Sequence, residues 1–365
     1  MVHSTRTPIW SWTLPLAGVA LFVFATWAGF GEDFASDPLG IAIAIVLVPL
    51  LMGAVFAAVY HAEEVAHLTG EPIGTLVLTM AVTVIELALI VSLMLTGKAA
   101  PTLVRDTVFS VVMIITTGLV GACLLVGGIR YREQTFDVTS AKIYLAMLLV
   151  LTTLSIILPN YTSSAPDRLY STSQLAFMSI AIMALYAVFV FTQTVRHRDY
   201  FSGDYEPPDP NAETGGKLIR SILFLCVALV AVVVLAKLFA IEVNAAVSAV
   251  GAPAAFSGVV IAFIVLLPES IAAIRAASRD NLQKSINLAL GSSLATIGLT
   301  IPAIAAANII LQKPLILGLD SRDMALVVMT LGASILTFGT GRTNVLFGFL
   351  HLVIFGTFLF FAVVP

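Results

Sequence analysis

Two glutamates stand where nearly every neighbour is apolar. Residues 73–96 read IGTLVLTMAVTVIELALIVSLMLT, with Glu86 the only ionisable side chain, and residues 259–278 read VVIAFIVLLPESIAAIRAAS, with Glu269 directly after Pro268. A carboxylate kept from water must take a proton, face a cation or do each in turn, because its bare charge is costly in an apolar medium. Thr75, Thr79 and Thr83 precede Glu86 at steps of four, four and then three. At 3.6 residues per turn these fall on one helical face, so hydroxyl oxygens line up with the carboxylate. Pro268 supplies a different oxygen: it removes a backbone donor and frees a carbonyl beside Glu269. Carboxylate, hydroxyl and carbonyl oxygens are the ligands of hard cations such as Ca2+.

The two sites are related by a shift of 183 positions, which places Glu269 on Glu86 and Ser293 on Ser110. Each glutamate is followed 24 residues later by a serine. The helix expected after each one opens with small polar residues, Thr107 and Ser110 in the first case and Gly291, Ser292 and Ser293 in the second. Ser285, Ser292, Thr296 and Thr300 lie on one face, and Asp106, Thr107, Ser110, Thr117 and Gly121 form a looser counterpart. Hydroxyls also serve plain helix packing in membranes, whereas a glutamate in mid-span has few structural uses. Glu63 and Glu64, with His61 and His67 in HAEEVAHLTGEP, suggest a cytoplasmic entrance that draws cations in. Their spacing does not make the HExxH zinc motif. His351 reads as a satisfied histidine, and Cys123 and Cys226 show neither metal nor disulfide spacing.

The elements that position these groups follow from composition. Of 365 residues 59% are hydrophobic and 11% charged, against about a quarter charged in soluble domains. Eleven stretches are long enough to span a bilayer: 10–30, 38–60, 73–96, 107–129, 143–159, 171–194, 218–240, 254–276, 286–311, 324–340 and 344–364. The first, running from Trp10 to Phe30, exceeds a signal-peptide core and is expected to remain as a membrane helix. Alternate loops carry twelve Lys and Arg on the side of the N-terminus and six on the other. The positive-inside rule then predicts a multi-pass protein of the inner (plasma) membrane, with the N-terminus cytoplasmic and the C-terminus outside.

Residues 196–217 are rich in Pro, Asp and Glu and read as a cytoplasmic linker. The expected organisation is an N-terminal helix over 1–37, a five-helix repeat over 38–195, the linker, and a second five-helix repeat over 218–365. Five is odd, so the repeats insert with opposite topology. The fold class is an all-α polytopic membrane protein. A net charge of -3 leaves no basic patch for nucleic acid.

HAEEVAHLTGEPIGTLVLTMAVTVIELALIVSLM and LPESIAAIRAASRDNLQKSINLALGSSLATIGLTIP resemble the two alpha-repeats of the calcium/cation antiporter superfamily, with most likeness to its bacterial ChaA-like calcium/proton branch. The resemblance implies eleven spans, one essential glutamate per repeat at Glu86 and Glu269, and export of cytosolic cation driven by inward protons. Many relatives carry Gly-Asn-Ala before the acidic residue. Here Thr83, Val84 and Ile85 precede Glu86, and Leu267 and Pro268 precede Glu269, so amide ligands are missing at those places.

The expected mechanism is a site in which Glu86 and Glu269 take one divalent cation or two protons, each load cancelling two charges. Candidate oxygens beside them come from Thr79, Thr83, Ser110, Ser292, Ser293 and the carbonyl freed by Pro268. The transported ions, Ca2+ or Na+ and K+ in exchange for H+, are cargo, and no cofactor is expected. A Na+(K+)/H+ antiporter and a passive channel are the alternatives. An enzyme is not expected, since no nucleophile and base or metal-ligand spacing is visible.

Overall fold

A computed structural model describes residues 7–30, 37–70, 73–95, 101–165, 168–201, 214–253, 255–311 and 315–364. Eleven helices in it are long and apolar enough to cross a membrane. They are α1 (Trp10–Trp27), α2 (Pro38–Thr69), α3 (Leu76–Leu95), α4 (Leu103–Tyr131), α5 (Val138–Tyr161), α6 (Thr172–Arg196), α7 (Gly215–Ala249), α8 (Phe256–Ala277), α9 (Leu282–Ile309), α10 (Ser321–Phe338) and α11 (Val345–Val363). Where water is absent, a helix satisfies its own backbone, and a run of about 20 apolar residues covers the hydrocarbon core. The count agrees with the eleven stretches read from sequence.

Several helices outrun their expected ends. Helix α2 continues nine residues past 60 and α7 nine past 240. With 32 and 35 residues, these two are about 48 and 52 Å long at 1.5 Å per residue, well over the roughly 30 Å hydrocarbon thickness. Hydropathy marks only the part in lipid, so the polar turns with Glu63, Glu64 and His67 were read as loop and are helical. Starts are set by capping chemistry. Asp137 accepts from Ser140 N at 2.8 Å before α5, Ser171 and Gln174 form a capping box before α6, and Asn281 accepts from Lys284 N at 3.0 Å before α9. Two short strands, β1 (Glu133–Thr135) and β2 (Arg342–Asn344), pair antiparallel. Sequence periodicity gave no hint of them.

The helices fall into two compact units. Unit one holds α1, α2, α3 and α7; α2 and α7 pack along one another, and α1 and α3 lie against both. Unit two holds α4, α5, α6, α8, α9, α10 and α11. Within it α4 packs on α8 and α11, and α9 on α8 and α6. Each unit therefore mixes segments of both expected repeats, since compactness and sequence equivalence divide the chain differently. Of the linker expected over 196–217, residues 202–213 lie outside the described part, as do residues 31–36 of the first turn. The linker's described edges are ordered: Arg198–Tyr200 form a 3-10 turn and α7 begins at Gly215.

At one end of unit two the helix starts are tied by charge. Arg105 Nε donates to Asp106 Oδ1 at 2.8 Å and its Nη1 to Gly318 O at 3.1 Å, while Arg168 pairs with Asp320, which precedes α10. The Arg168 hydrogen bond, aided by Arg105 and Arg322, holds the Asp320 carboxyl below its ordinary pKa. A carboxyl depressed in the folded state stabilises above its unfolded value, and that contribution is lost as pH falls through the folded value. Asp320→Asn is therefore expected to melt below the parent protein at pH 7, with the gap closing below about pH 4. Both partners are nearly half exposed, so the difference should stay under about 1 kcal/mol. Thermal unfolding of the detergent-solubilised pair across pH checks it.

Candidate cation site

Helix α3 builds the first half of the site in unit one. Its outward positions Leu76 and Met80 are exposed, and Ala81, Ile85, Leu89, Ile90 and Leu93 are buried. This is the pattern of a helix with one face to lipid and one into the bundle. Glu86 lies on the enclosed face at 1% exposure. Thr83, also buried, donates from Oγ1 to Thr79 O at 2.9 Å. That back-bonding satisfies the hydroxyl and leaves its oxygen lone pairs to the side. Thr79 is half-buried, and the side chain of Thr75 lies outside the described set.

The second glutamate is carried by α8 in unit two. Glu269 is half-buried and Pro268 is buried inside the helix. Without an N–H at Pro268 the carbonyl of Ile264 loses its intrahelical donor. The position equivalent to Pro268 in the first repeat is Ile85, so only the second glutamate has a broken ladder beside it. Helix α8 approaches α4 at backbone distance: a Cβ on Gly258 would lie 2.8 Å from Thr107 N. Such close crossings in membranes depend on small residues.

Helices α4 and α9, which follow the two glutamate helices in sequence, are the most enclosed of the eleven. Both depart from α-helical winding. Ile114–Leu119 of α4 and Thr296–Thr300 of α9 are π-helical. Shifting the second back by 183 gives 113–117, which overlaps the first over four residues. A π-turn inserts an extra residue into the hydrogen-bond ring, displaces carbonyls, and recurs at functional positions. In α4 threonines take up carbonyls near the turn: Thr116 Oγ1 donates to Val112 O at 2.5 Å, and Thr117 Oγ1 donates to Met113 O. Sequence reading missed both segments, since one extra residue hardly alters hydrophobic periodicity. The only signal was threonine and glycine crowding at 116–118 and 296–300.

The hydroxyls one turn earlier differ between the repeats. Ser110, 1% exposed, donates to Asp106 O at 2.6 Å. Ser293 is fully buried and Ser292 half-buried, and neither Oγ has a hydrogen-bond partner. A buried hydroxyl left so costs roughly 1–3 kcal/mol. Each π segment is also backed by an aromatic ring of the other repeat: Phe355 of α11 against Gly118, and Tyr186 of α6 against Gly298.

Unit two has a further acidic feature. A small pocket is lined by Asp106, Ser110, Arg322, Asp323, Phe109 and Phe358, among others. Asp106 and Asp323 are 5% and 7% exposed, and each accepts at 2.8 Å from the Nε of the preceding arginine. The repeated Arg-Asp dipeptide at a helix start was the legible trace of this pair. Elsewhere, Glu63 is exposed, whereas Glu64 is largely covered and meets Lys217 Nζ at 3.3 Å and Ser221 Oγ at 2.7 Å. His351 is buried, with Nε2 3.0 Å from Thr337 Oγ1. Among the described residues no three His, Cys, Asp or Glu side chains converge.

Comparison with known proteins places these features in a lineage. The family model described as "Sodium/calcium exchanger protein" matches residues 39–195 and 220–364. The chain is 42% identical over 367 residues to a "Putative ionic transporter y4hA" of Sinorhizobium fredii, covering 100% of this chain and 98% of that protein. It is 34% identical over 349 residues to the "Sodium-potassium/proton antiporter ChaA" of Escherichia coli, covering 93% of each. Its fold is that of the crystallised Ca2+/H+ antiporter protein YfkE, at a TM-score of 0.73 with 15% identity, covering 97% of this chain and 99% of that one.

The close crossing of α8 over α4 gives a test of the unit-two packing. Gly258→Val is expected to lower the unfolding free energy of the solubilised protein by about 1–3 kcal/mol, as overpacking does. Ser292→Ala, which introduces no clash, should leave the melting curve unmoved or raise it.

Proposed function

The chain belongs to the sodium/calcium exchanger protein family, and on that premise we propose that it is a secondary antiporter exporting cytosolic Ca2+ in exchange for protons. Glu86 and Glu269 are the groups that carry the exchange in this reading. The observation that supports it most is a single carboxylate, buried at Glu86 and half-buried at Glu269, in each of two helices that are equivalent under a shift of 183 residues, both followed by a helix with a π-turn. An empty pair of carboxylates bears two negative charges, which a low-dielectric barrier resists moving. One divalent cation or two protons cancels that charge. Only loaded forms then change access, and the two loads exchange rather than leak.

Roles for the neighbours follow from their chemistry. Thr83 and Ser110 offer hydroxyl oxygens whose hydrogens are turned along the helix, and Thr79 offers a third hydroxyl. Ser292 and Ser293 and the carbonyl freed by Pro268 replace water on a hard cation. Glu63 is suited to attracting cations at the cytoplasmic mouth. The positive-inside count puts the N-terminus in the cytoplasm of the inner membrane and the C-terminus outside.

A second reading, a Na+(K+)/H+ antiporter on the same scaffold, is favoured by the 34% identical relative that bears that activity in its name. A monovalent ion leaves one charge over unless a proton stays bound at one glutamate. The decisive experiment uses inverted membrane vesicles with a pre-formed pH gradient, to which Ca2+, Na+ and K+ are added separately. Ca2+ is expected to collapse the gradient. Glu86→Gln and Glu269→Gln should each lower the rate by roughly 100-fold or more, the scale for removing one charge from a buried pair. Full activity in either variant would falsify the site. Collapse by Na+ or K+ alone would transfer the assignment to the second reading.

A further inference from the structure

Unit one contains a buried titratable group that the exchange does not use. His61 is fully enclosed in α2, near the end of the helix that the positive-inside count assigns to the cytoplasm. Its ring is wedged between Tyr60, at a centroid distance of 5.1 Å, and Phe224 of α7, at 5.3 Å. Nε2 lies 3.2 Å from the carbonyl oxygen of Ser11 in α1. A carbonyl can only accept, so Nε2 carries the hydrogen and the neutral ring presents a bare lone pair at Nδ1. That nitrogen is buried with no hydrogen-bond partner and faces Glu64 Oε2 at 3.8 Å. Glu64 is in turn held by Ser221 and Lys217 of α7.

We propose that His61 Nδ1 and Glu64 form a proton-binding site, separate from the transport glutamates, that locks α1, α2 and α7 together when occupied. A proton arriving by way of Glu64, the partly exposed member at 14%, lands on Nδ1 and makes an imidazolium opposite a carboxylate. The Nε2 bond to Ser11 and the new Nδ1 contact to Glu64 both become charge-assisted, which roughly doubles their strength. The chain Ser11, His61, Glu64, Ser221 then spans three helices.

Burial is the largest influence on the His61 ring and disfavours its charged form, and the groups facing it set the rest of the balance. From α2 comes Glu64; from α7 come Arg220 and, through Glu64, Lys217. Helix α1 contributes only the Ser11 carbonyl, as it has no charged residue. One carboxylate at 3.8 Å works against two cations, of which Lys217 is committed to Glu64. The result is feedback: when protons accumulate on this face, the lock closes and turnover slows.

The inference rests on the antiporter reading for its consequence but not for its proton. Histidine signals are followed by NMR across pH 4–9 in the purified full chain labelled at its five histidines. One buried titration should vanish in His61→Gln, whose amide still reaches Ser11. In Glu64→Gln the midpoint of that titration should fall by about one unit, since the stabilising charge is gone. In vesicles, exchange by His61→Gln should match the parent at alkaline pH on this face. One unit below the histidine midpoint it should run about tenfold faster, because only a tenth of the parent remains unlocked. A histidine titration unchanged in Glu64→Gln, or pH profiles that superimpose for His61→Gln and the parent, would overturn the proposal. If neither Ca2+ nor Na+ nor K+ drives proton flux while the NMR arms hold, the transport reading fails and the proton site stands.

Discussion

In hydrocarbon there is no water to complete a polar group, so every donor, acceptor and charge has to be settled within the protein. Much of what is unusual in this molecule can be traced to that constraint. Threonines and serines in α3 and α4 turn their hydroxyls back onto carbonyls of their own helices: Thr83 to Thr79, Ser110 to Asp106, Thr116 to Val112. Of the four helices that contain π-turns, α4, α5, α6 and α9, the first and last are the two most enclosed by protein. Irregular backbone at membrane depth survives only where neighbours cover it. Against this background, the hydroxyls of Ser292 and Ser293 are among the few buried ones left without a hydrogen-bond partner, with those of Thr152, Ser334 and Thr343.

The same constraint shapes symmetry and its breaking. The π segments of α4 and α9 overlap under the 183-residue shift, and α4 is backed by the last helix of the second repeat as α9 is by the last helix of the first. Identical side chains are not needed for this, since Phe355 and Tyr186 do the same work against different glycines. Where the repeats differ, the differences concern oxygen supply. Pro268 opens the ladder before Glu269 while Ile85 keeps it closed before Glu86. The serine of α4 is back-bonded while those of α9 are not. The second repeat thus has a freed carbonyl and unpartnered serines, whereas the glutamate of the first lies at 1% exposure.

Features that depend on local composition could be read from the chain alone. Eleven apolar stretches, the isolated Glu86 and Glu269, and their common distance to a serine need only counting. What depends on distant partners could not. Arg105 finds Gly318 across 213 residues, and Gln134 reaches the carbonyl of Ala277 at 3.1 Å and Asp280 at 2.9 Å. Neither pairing leaves a periodic trace. Glu64 shows the limit most sharply. In sequence it is one of two adjacent acids at the end of a span, equal to Glu63. In the fold about 100° of helix rotation separates them: Glu63 is exposed, and Glu64 is covered and meets Lys217 and Ser221 of α7.

Charge and size can be assigned to different groups on the exchange proposed above. The number of negative charges that a load must cancel is fixed by the glutamates, and no hydroxyl or carbonyl can alter it. Those neutral oxygens act on the geometry, since Ca2+ tolerates six to eight of them at 2.3–2.6 Å while smaller cations demand fewer and closer ones. Valence is therefore a property of Glu86 and Glu269. Discrimination among ions of one valence belongs to the flexible oxygens around Pro268 and on α9. Losing Ser292 or Ser293 would then change which cation is preferred without uncoupling it from protons, because the charge that enforces exchange would be untouched.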